Sequence, residues 1–213
     1  MSALAPSLPH LLRGTVSTLA LAATVLVLGS ALGLVLGLLR VVPSRLTTRG
    51  VAAVVELVRA VPLLLLLFFV FFGLPAVGPR IATFPAAVLA MSLWMAANTA
   101  EIVRGGVQSI AHGQYEAARS LGLSWTATMR FVVLPQATRR MLPPFVGLCT
   151  ILVKDTSLAA IIGVFELTRA AQETIERTLR SFEIYGAAAV IYFALCLPLT
   201  RLAARLEAHL GRG

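Results

Sequence analysis

Residues Gly14–Leu39 read GTVSTLALAATVLVLGSALGLVLGLL, 26 consecutive positions without a charged side chain. An α-helix rises about 1.5 Å per residue, so about 20 apolar residues cross a hydrocarbon layer ~30 Å thick. The run is longer than that, and longer than the roughly 7–15-residue apolar region of a cleaved signal peptide, so it is expected to stay as a first membrane-spanning helix. Two more charge-free runs, Ala60–Pro79 and Ile81–Ala100, have 20 residues each. The whole chain shares the bias: 58% of its 213 residues are hydrophobic and 13% charged. A soluble domain has about 45–50% and roughly a quarter. Mean hydropathy is +0.89. A soluble enzyme, a disordered chain and a small disulfide scaffold are excluded.

Working outward from that helix, the pattern predicts one all-α integral membrane domain over residues 1–213 with five spans. They lie at about 14–39, 51–72, 84–103, 141–165 and 184–200. The second should end at the breakers Gly73, Pro75, Gly78 and Pro79, and an amphipathic tail with Arg201, Arg205 and Glu207 follows the fifth. The net charge of +9 comes from 18 basic and 9 acidic residues. Their placement follows the loops. If the Ser44 loop, the 105–140 loop and the C-terminus share one side, that side holds 11 of the 18: Arg40, Arg45, Arg49, Arg104, Arg119, Arg130, Arg139, Arg140, Arg201, Arg205 and Arg212. The opposite side holds Arg13, Arg80, Arg169, Arg177 and Arg180. The positive-inside rule then puts the N-terminus outside and the C-terminus in the cytoplasm. Arginines spent as topology signals leave no basic groove for nucleic acid.

Several chemistries have no residues to carry them. Lys154 is the only lysine and follows Val153, so no phosphate-cradling G-x-x-x-x-G-K-[ST] loop exists, and any nucleotide must be hydrolysed by another chain. Cys149 and Cys196 lie in apolar spans, where core packing is the ordinary role. His10, His112 and His209 are scattered without metal-ligand spacing, so no metal site is expected. No Gly-x-Ser-x-Gly turn is present.

The loop at 105–140 is too polar to span and too regular to be a linker. Gln114–Leu121 is Ala-rich and helix-forming, with Gly122 as its C-cap. Ser124 can cap a second short helix through Phe131, expected to end before Leu134–Pro135. The two make a finger whose small residues suit a groove on a partner. The same residues could also form an amphipathic segment lying on lipid.

Here a family resemblance enters. Glu116-Ala117-Ala118-Arg119-Ser120-Leu121-Gly122, nine residues, then Val132-Val133-Leu134-Pro135 resembles the E-A-A-x-x-x-G-(nine)-I-x-L-P loop of ABC importer permeases, with Val132 in place of the usual Ile. Four more stretches are similar to the polar amino-acid branch of that family, the histidine/glutamine/glutamate/arginine type. They are Ala100–Ile110, Leu134-Pro135-Gln136-Ala137, Val153–Leu158 and Glu56–Leu64, the last with Ala60-Val61 where the family has Gly-Thr. The resemblance covers about residues 10–210. It implies the ABC importer permease fold and import of a polar amino acid across the bacterial cytoplasmic membrane by alternating access. It implies that Glu116, Ala117, Ala118, Leu121 and Gly122 form a coupling helix docking on a separate, dimeric ATPase subunit that binds ATP and Mg. A second permease chain, identical or homologous, and a periplasmic or lipid-anchored solute-binding protein complete the implied assembly, with membrane lipid around it. A self-contained secondary transporter is the alternative, disfavoured by five spans without an internal repeat.

Ionisable groups at membrane depth cost about 2.5–3.5 kcal/mol each and call for a reason. Glu56 and Arg59, like Glu101 and Arg104, are three apart and share a helix face near the cytoplasmic ends of their spans. They could interlock into one network of two acids and two bases near the inner surface, as a structural clamp or as a gate on the cytoplasmic exit. Lys154 lies 13 residues past Met141, about 20 Å into the layer. There Asp155 suits an ammonium and Lys154 a carboxylate, while Thr156 and Ser157 can satisfy backbone groups of a bent helix. A self-neutralising Lys154–Asp155 pair is the competing reading. Asn98, one turn from Glu101, is a further candidate for the substrate path.

Overall fold

The computed structural model of the chain describes residues 4–78 and 80–210; Pro79 and Arg212, used above as a breaker and a topology charge, lie outside the described residues. Eight helices follow in order: α1 (Leu4–Leu39), α2 (Arg45–Ala60), α3 (Leu63–Ala76), α4 (Thr83–Gln108), α5 (His112–Ser120), α6 (Trp125–Ile162), α7 (Leu167–Thr178) and α8 (Ser181–Leu210). Among the described residues there is no strand. Helices α1, α4, α6 and α8 are each long and apolar enough to cross a membrane, and α2 with α3 makes a fifth only as a bent pair.

That bend corrects the expected straight span at 51–72. The axes of α2 and α3 differ by 99°. Val61 is extended (φ −90°, ψ 128°) because it precedes Pro62, whose ring disfavours the α conformation behind it. Helix α2 is amphipathic, setting Val55 into the core while Glu56 and Arg59 stay exposed. Only α3 carries the apolar sequence LLLLLF onward.

The expected break between the finger and the span at 141–165 is also absent. From Trp125 the chain is helical without interruption to Ile162. Pro135 lacks an N–H and should end such a helix, but a π turn at Met129–Val133 lies just ahead of it. There the Leu134 N–H reaches Met129 O, five residues back, so the extra residue absorbs the proline's missing bond. Pro75 in α3 is preceded in the same way by a π turn at Phe69–Gly73. Only past Asp155 does α6 tighten, as a 3₁₀ turn at Thr156–Ile162 that ends on Gly163 with φ +87°.

Helix α4 is the hub. Its Ala86, Ala87, Ala90, Met91 and Met95 pack against Leu21 and Val25 of α1, Leu63 and Leu67 of α3, and Leu148 and Leu152 of α6. Lipid is as apolar as leucine, so helices gain little from hiding leucine there and associate through close van der Waals contact. The contact between α1 and α4 is built for that. Gly29, Gly33 and Gly37 recur every fourth position of α1, and a Cβ added to each would fall 2.5–2.6 Å from the Cβ of Met95, Thr99 or Val103. Gly14 makes the same approach to Ala170 of α7, and Gly106 of α4 to Met141 of α6. Helix α8 covers the outside of α6 and leaves Phe182, Val190 and Phe193 exposed, a face suited to lipid.

Gly33→Val should therefore force the two backbones apart and cost about 1–3 kcal/mol of stability. Gly186→Ala, where an added Cβ meets nothing within 4 Å, should leave stability unchanged or slightly raised. Apparent melting temperatures of the two variants in detergent separate these outcomes.

Candidate functional site

Three groups of polar residues stand out against the apolar body. The first lies where α1 ends beside α2 and α4. Arg40, the residue after α1, has a side chain only 6% exposed. Its NH1 donates to Glu101 Oε2 at 2.7 Å, and its NH2 lies 3.6 Å from Glu56 Oε1. Arg59 NH1 is 3.6 Å from the same Glu101 oxygen, and Arg104 Nε donates to both Glu101 oxygens at 3.1 and 3.2 Å. The helical spacing allowed the two pairs to interlock into one network. Glu101–Arg104 forms within α4, and Glu56 and Arg59 reach across to other helices. Arg40 is the member that sequence reasoning read only as a topology charge. Its one signal was its place directly after a 26-residue apolar run. Three guanidinium groups converge on one carboxylate, so Glu101 neutralises charge brought by α1, α2 and α4 together.

Beside this cluster lies a cavity of about 600 Å³. Arg59, Asn98 and Glu101 line one side, and Gly147, Leu148 and Ile151 of α6 the other. Asn98 turns one amide hydrogen back to Trp94 O at 2.9 Å, which leaves its carbonyl oxygen for another partner. The structure thus brings Asn98 and Glu101 together at one void. It places Lys154, Asp155, Thr156 and Ser157 away from its lining. Asp155 nevertheless follows Ile151 by four residues and Gly147 by eight, so it stands on the helix face that lines the void, one turn farther along.

At that point α6 changes its winding. Thr156, fully buried, donates to Val153 O at 2.8 Å, and Ser157 donates to Lys154 O at 2.7 Å. These hydroxyls hold carbonyls that the tightening to 3₁₀ geometry would otherwise release. Lys154 is exposed, and among the described residues no ion pair joins it to Asp155.

The third group is the finger. Helix α5 ends in a Schellman motif: Gly122 N–H donates to Arg119 O at 3.0 Å and Leu123 N–H to Ala118 O at 3.1 Å. The motif needs a left-handed residue, and Gly122 supplies φ +73°. Ser124 Oγ then caps α6 by accepting Ala127 N–H at 3.3 Å. Tyr115 OH donates to Val107 O at 3.2 Å, and Gln136 Nε2 to Gln114 Oε1 at 3.2 Å, anchoring α5 to α4 and α6. Burial pushes the Tyr115 phenol up from its ordinary range and keeps it a donor. Glu116 and Ala117 face outward, and Leu121 is 80% exposed. Ala118 turns inward and is buried, so of the five residues expected at a partner surface it serves instead to seat the helix.

A fourth cluster was missed altogether. Glu166, fully buried before α7, accepts Arg169 N–H at 2.7 Å and Tyr192 O–H of α8 at 2.7 Å. Thr18 of α1 donates to it at 3.5 Å and accepts Leu167 N–H at 3.1 Å. Burial pushes the Glu166 carboxyl above the usual carboxylate range, opposed by the amides that cap onto it. Arg169 stands three residues on, the spacing of the Glu56–Arg59 and Glu101–Arg104 pairs, but Glu166 holds its backbone N–H and not its guanidinium, so that spacing does not announce the cluster. Its partners lie 26 and 148 residues away.

The two carboxylates of the first cluster should behave differently when neutralised. Glu101→Gln leaves the buried Arg40 without its close counter-charge and should cost about 3 kcal/mol. Glu56, with a side chain 67% exposed, should lose under about 1 kcal/mol as Glu56→Gln. Chemical or thermal unfolding of the two variants in the same detergent gives the comparison.

Comparison with known proteins concerns the chain as a whole. The family described as binding-protein-dependent transport system inner membrane component matches residues 29–212. A Bacillus subtilis (strain 168) protein named as a probable glutamine ABC transporter permease, GlnP, is 41% identical over 203 residues, covering 94% of this chain and 93% of the relative. The Escherichia coli (strain K12) glutamine transport system permease protein GlnP is 40% identical over 208 residues, 97% of this chain and 95% of the relative. Among solved structures, a crystal structure of an amino acid ABC transporter with histidines superposes with TM-score 0.92 at 32% identity, covering 97% of both chains. Such end-to-end agreement sets the secondary-transporter alternative aside. With its bent second span, glycine-packed hub and capped finger, this chain belongs to the binding-protein-dependent transport system inner membrane component family and is an ABC importer permease.

Proposed function

We propose that this chain imports a polar amino acid, glutamine being the first to test, across the bacterial cytoplasmic membrane. The relatives named for glutamine transport, aligned over nearly the whole chain, support that substrate class. ATP, with Mg, is bound and hydrolysed on a separate, dimeric ATPase subunit. A solute-binding protein, periplasmic or lipid-anchored, delivers substrate at the outer face. A second permease chain closes the pathway, because five spans around a half-open cavity do not enclose one. The N-terminus faces outward and the C-terminus the cytoplasm, in keeping with the arginine asymmetry.

The observation that carries the coupling mechanism is the construction of α5. Its inner face is anchored by Tyr115, Ala118 and Gln114, while Glu116, Ala117 and Leu121 project outward. An exposed leucine beside a capped helix end is unfavourable in water and favourable in a partner's groove. Movement of the ATPase subunit pushes the finger, and the continuous helix of α6 carries that push from Trp125 to Asp155 without a loop to absorb it. At the far end Asp155 takes the substrate ammonium and Lys154 its carboxylate, while Thr156 and Ser157 hold the carbonyls of the tightened turn beside them. Asn98 and Glu101 line the way inward. The Arg40–Glu56–Arg59–Glu101–Arg104 cluster closes the cytoplasmic exit and opens when α2 moves relative to α4.

Leu121→Asp and Gly122→Asp should each abolish co-purification of the ATPase subunit while the permease remains folded. Leu121 is too exposed for its loss to unfold the chain, so retention of the ATPase by Leu121→Asp removes the coupling role. In vesicles holding the whole transporter and its binding protein, Asp155→Asn should lower glutamine uptake about tenfold or more, the worth of a hydrogen bond to a charged group. Uptake at the normal rate would exclude Asp155 from the path. In the same vesicles Glu56→Gln combined with Arg59→Gln should let ATP be hydrolysed without uptake; loss of the assembled complex would mark the cluster as a clamp.

A further inference from the structure

A second cavity, of about 300 Å³, lies between the start of α6 and the end of α8. Gln136, Arg139, Arg140, His209 and Leu210 line it. Among the described residues no carboxylate does. Arg140 spends one N–H on Ser109 O, whereas Arg139 and His209 have no hydrogen bond or ion pair among the described residues. Gln136 spends both of its amide hydrogens elsewhere, on Gln114 Oε1 and Val132 O, so the donors free at the void are those of Arg139, Arg140 and His209. These groups are the right kind: two guanidinium forks and an imidazole fit the several oxygens of one phosphate.

Depth points the same way. From Arg140 to Ile162 α6 runs 22 residues, about 33 Å, close to the hydrocarbon thickness. Arg139 and Arg140 thus stand at the headgroup level of one leaflet. Across the cavity Leu202, Leu206 and Leu210 recur every fourth residue of α8, giving that helix an apolar edge beside the basic one. A pocket with cationic walls between two spans at the membrane surface is suited to a phospholipid headgroup.

We propose that this cavity binds a phosphate monoanion or diester, held by Arg139, Arg140 and His209, and supplied by an anionic phospholipid headgroup or by free phosphate. The assignment to the cytoplasmic leaflet rests on the orientation proposed above; the binding itself does not. Gln136, in the wall of the cavity, holds Gln114 of α5, so the cavity adjoins the finger.

The test uses the complete transporter with its ATPase subunit. Complexes are taken from vesicles of phosphatidylcholine with phosphatidylglycerol, and retained phosphatidylglycerol is counted by native mass spectrometry. In parallel, inorganic phosphate is titrated against the same complexes in detergent, and the shift in melting temperature is read. Arg139→Gln combined with His209→Gln removes the two unpartnered groups. Arg201→Gln removes an exposed arginine of α8 outside the cavity. The double variant should retain phosphatidylglycerol about tenfold less than wild type, given roughly 1 kcal/mol per basic residue near an anionic surface, while Arg201→Gln retains it normally. A phosphate-induced shift lost only in the double variant, with lipid retention unchanged, identifies free phosphate as the source and upholds the site. Equal behaviour of all three proteins in both measurements, or equal lipid loss in the two variants, overturns it. Neither readout depends on transport, so failure here leaves the importer reading intact, and failure of that reading leaves this result standing.

Discussion

The architecture depends on how closely α1 and α4 approach. Within lipid, side chains gain nothing by leaving an apolar solvent, so helices hold together by the density of their contact. Gly29, Gly33 and Gly37 bring the α1 backbone against Ala96, Thr99 and Val103 with no room for a methyl group. That contact places the end of α1, and with it Arg40, directly beside Glu101. Helix α4 can then serve both as packing hub and as the wall of the larger cavity. A wider spacing would leave Arg40 buried and unpaired, a far costlier state than the ion pair observed.

Proline and the π turn solve a second problem. Helix α6 runs unbroken from the finger to Ile162, yet Pro135, Pro143 and Pro144 all lie in it. The π turn at Met129–Val133 supplies the residue that Pro135 takes away, and the helix continues. The same device in α3 keeps the chain helical through Pro75. At Pro62 no π turn intervenes, and there the chain turns by 99°. Pro143 and Pro144 stay inside α6 with no π turn directly ahead of them, so a π turn is one way to carry a helix through proline and its absence does not by itself break one.

Charge is managed by position. Exposed groups such as Glu56 and Glu116 make loose contacts that solvent weakens. Groups withdrawn from solvent are each tied to more than one element: Arg40 and Glu101 join α1, α2 and α4, and Glu166 joins α1, α7 and α8.

Much was legible in the residues alone. Charge-free runs of membrane-spanning length set the class, the arginine distribution suggested an orientation, and the Glu116–Gly122 segment followed by Leu134–Pro135 announced the finger and its family. These features are local, or repeat along the chain, so pattern suffices to read them. The 99° bend, the unbroken course of α6, the burial of Ala118 and the recruitment of Arg40 and Glu166 were not legible in that way. The recruitment of Arg40 and Glu166 depends on groups that meet across many positions, 61 between Arg40 and Glu101 and 148 between Thr18 and Glu166, whereas the bend and the π turn are local outcomes that proline allows but does not dictate. The apolar content of this sequence determined by itself that it would be a membrane helix bundle. Which charges could be buried there was decided only by the tertiary contacts, because a charge survives burial only where the fold brings it a partner.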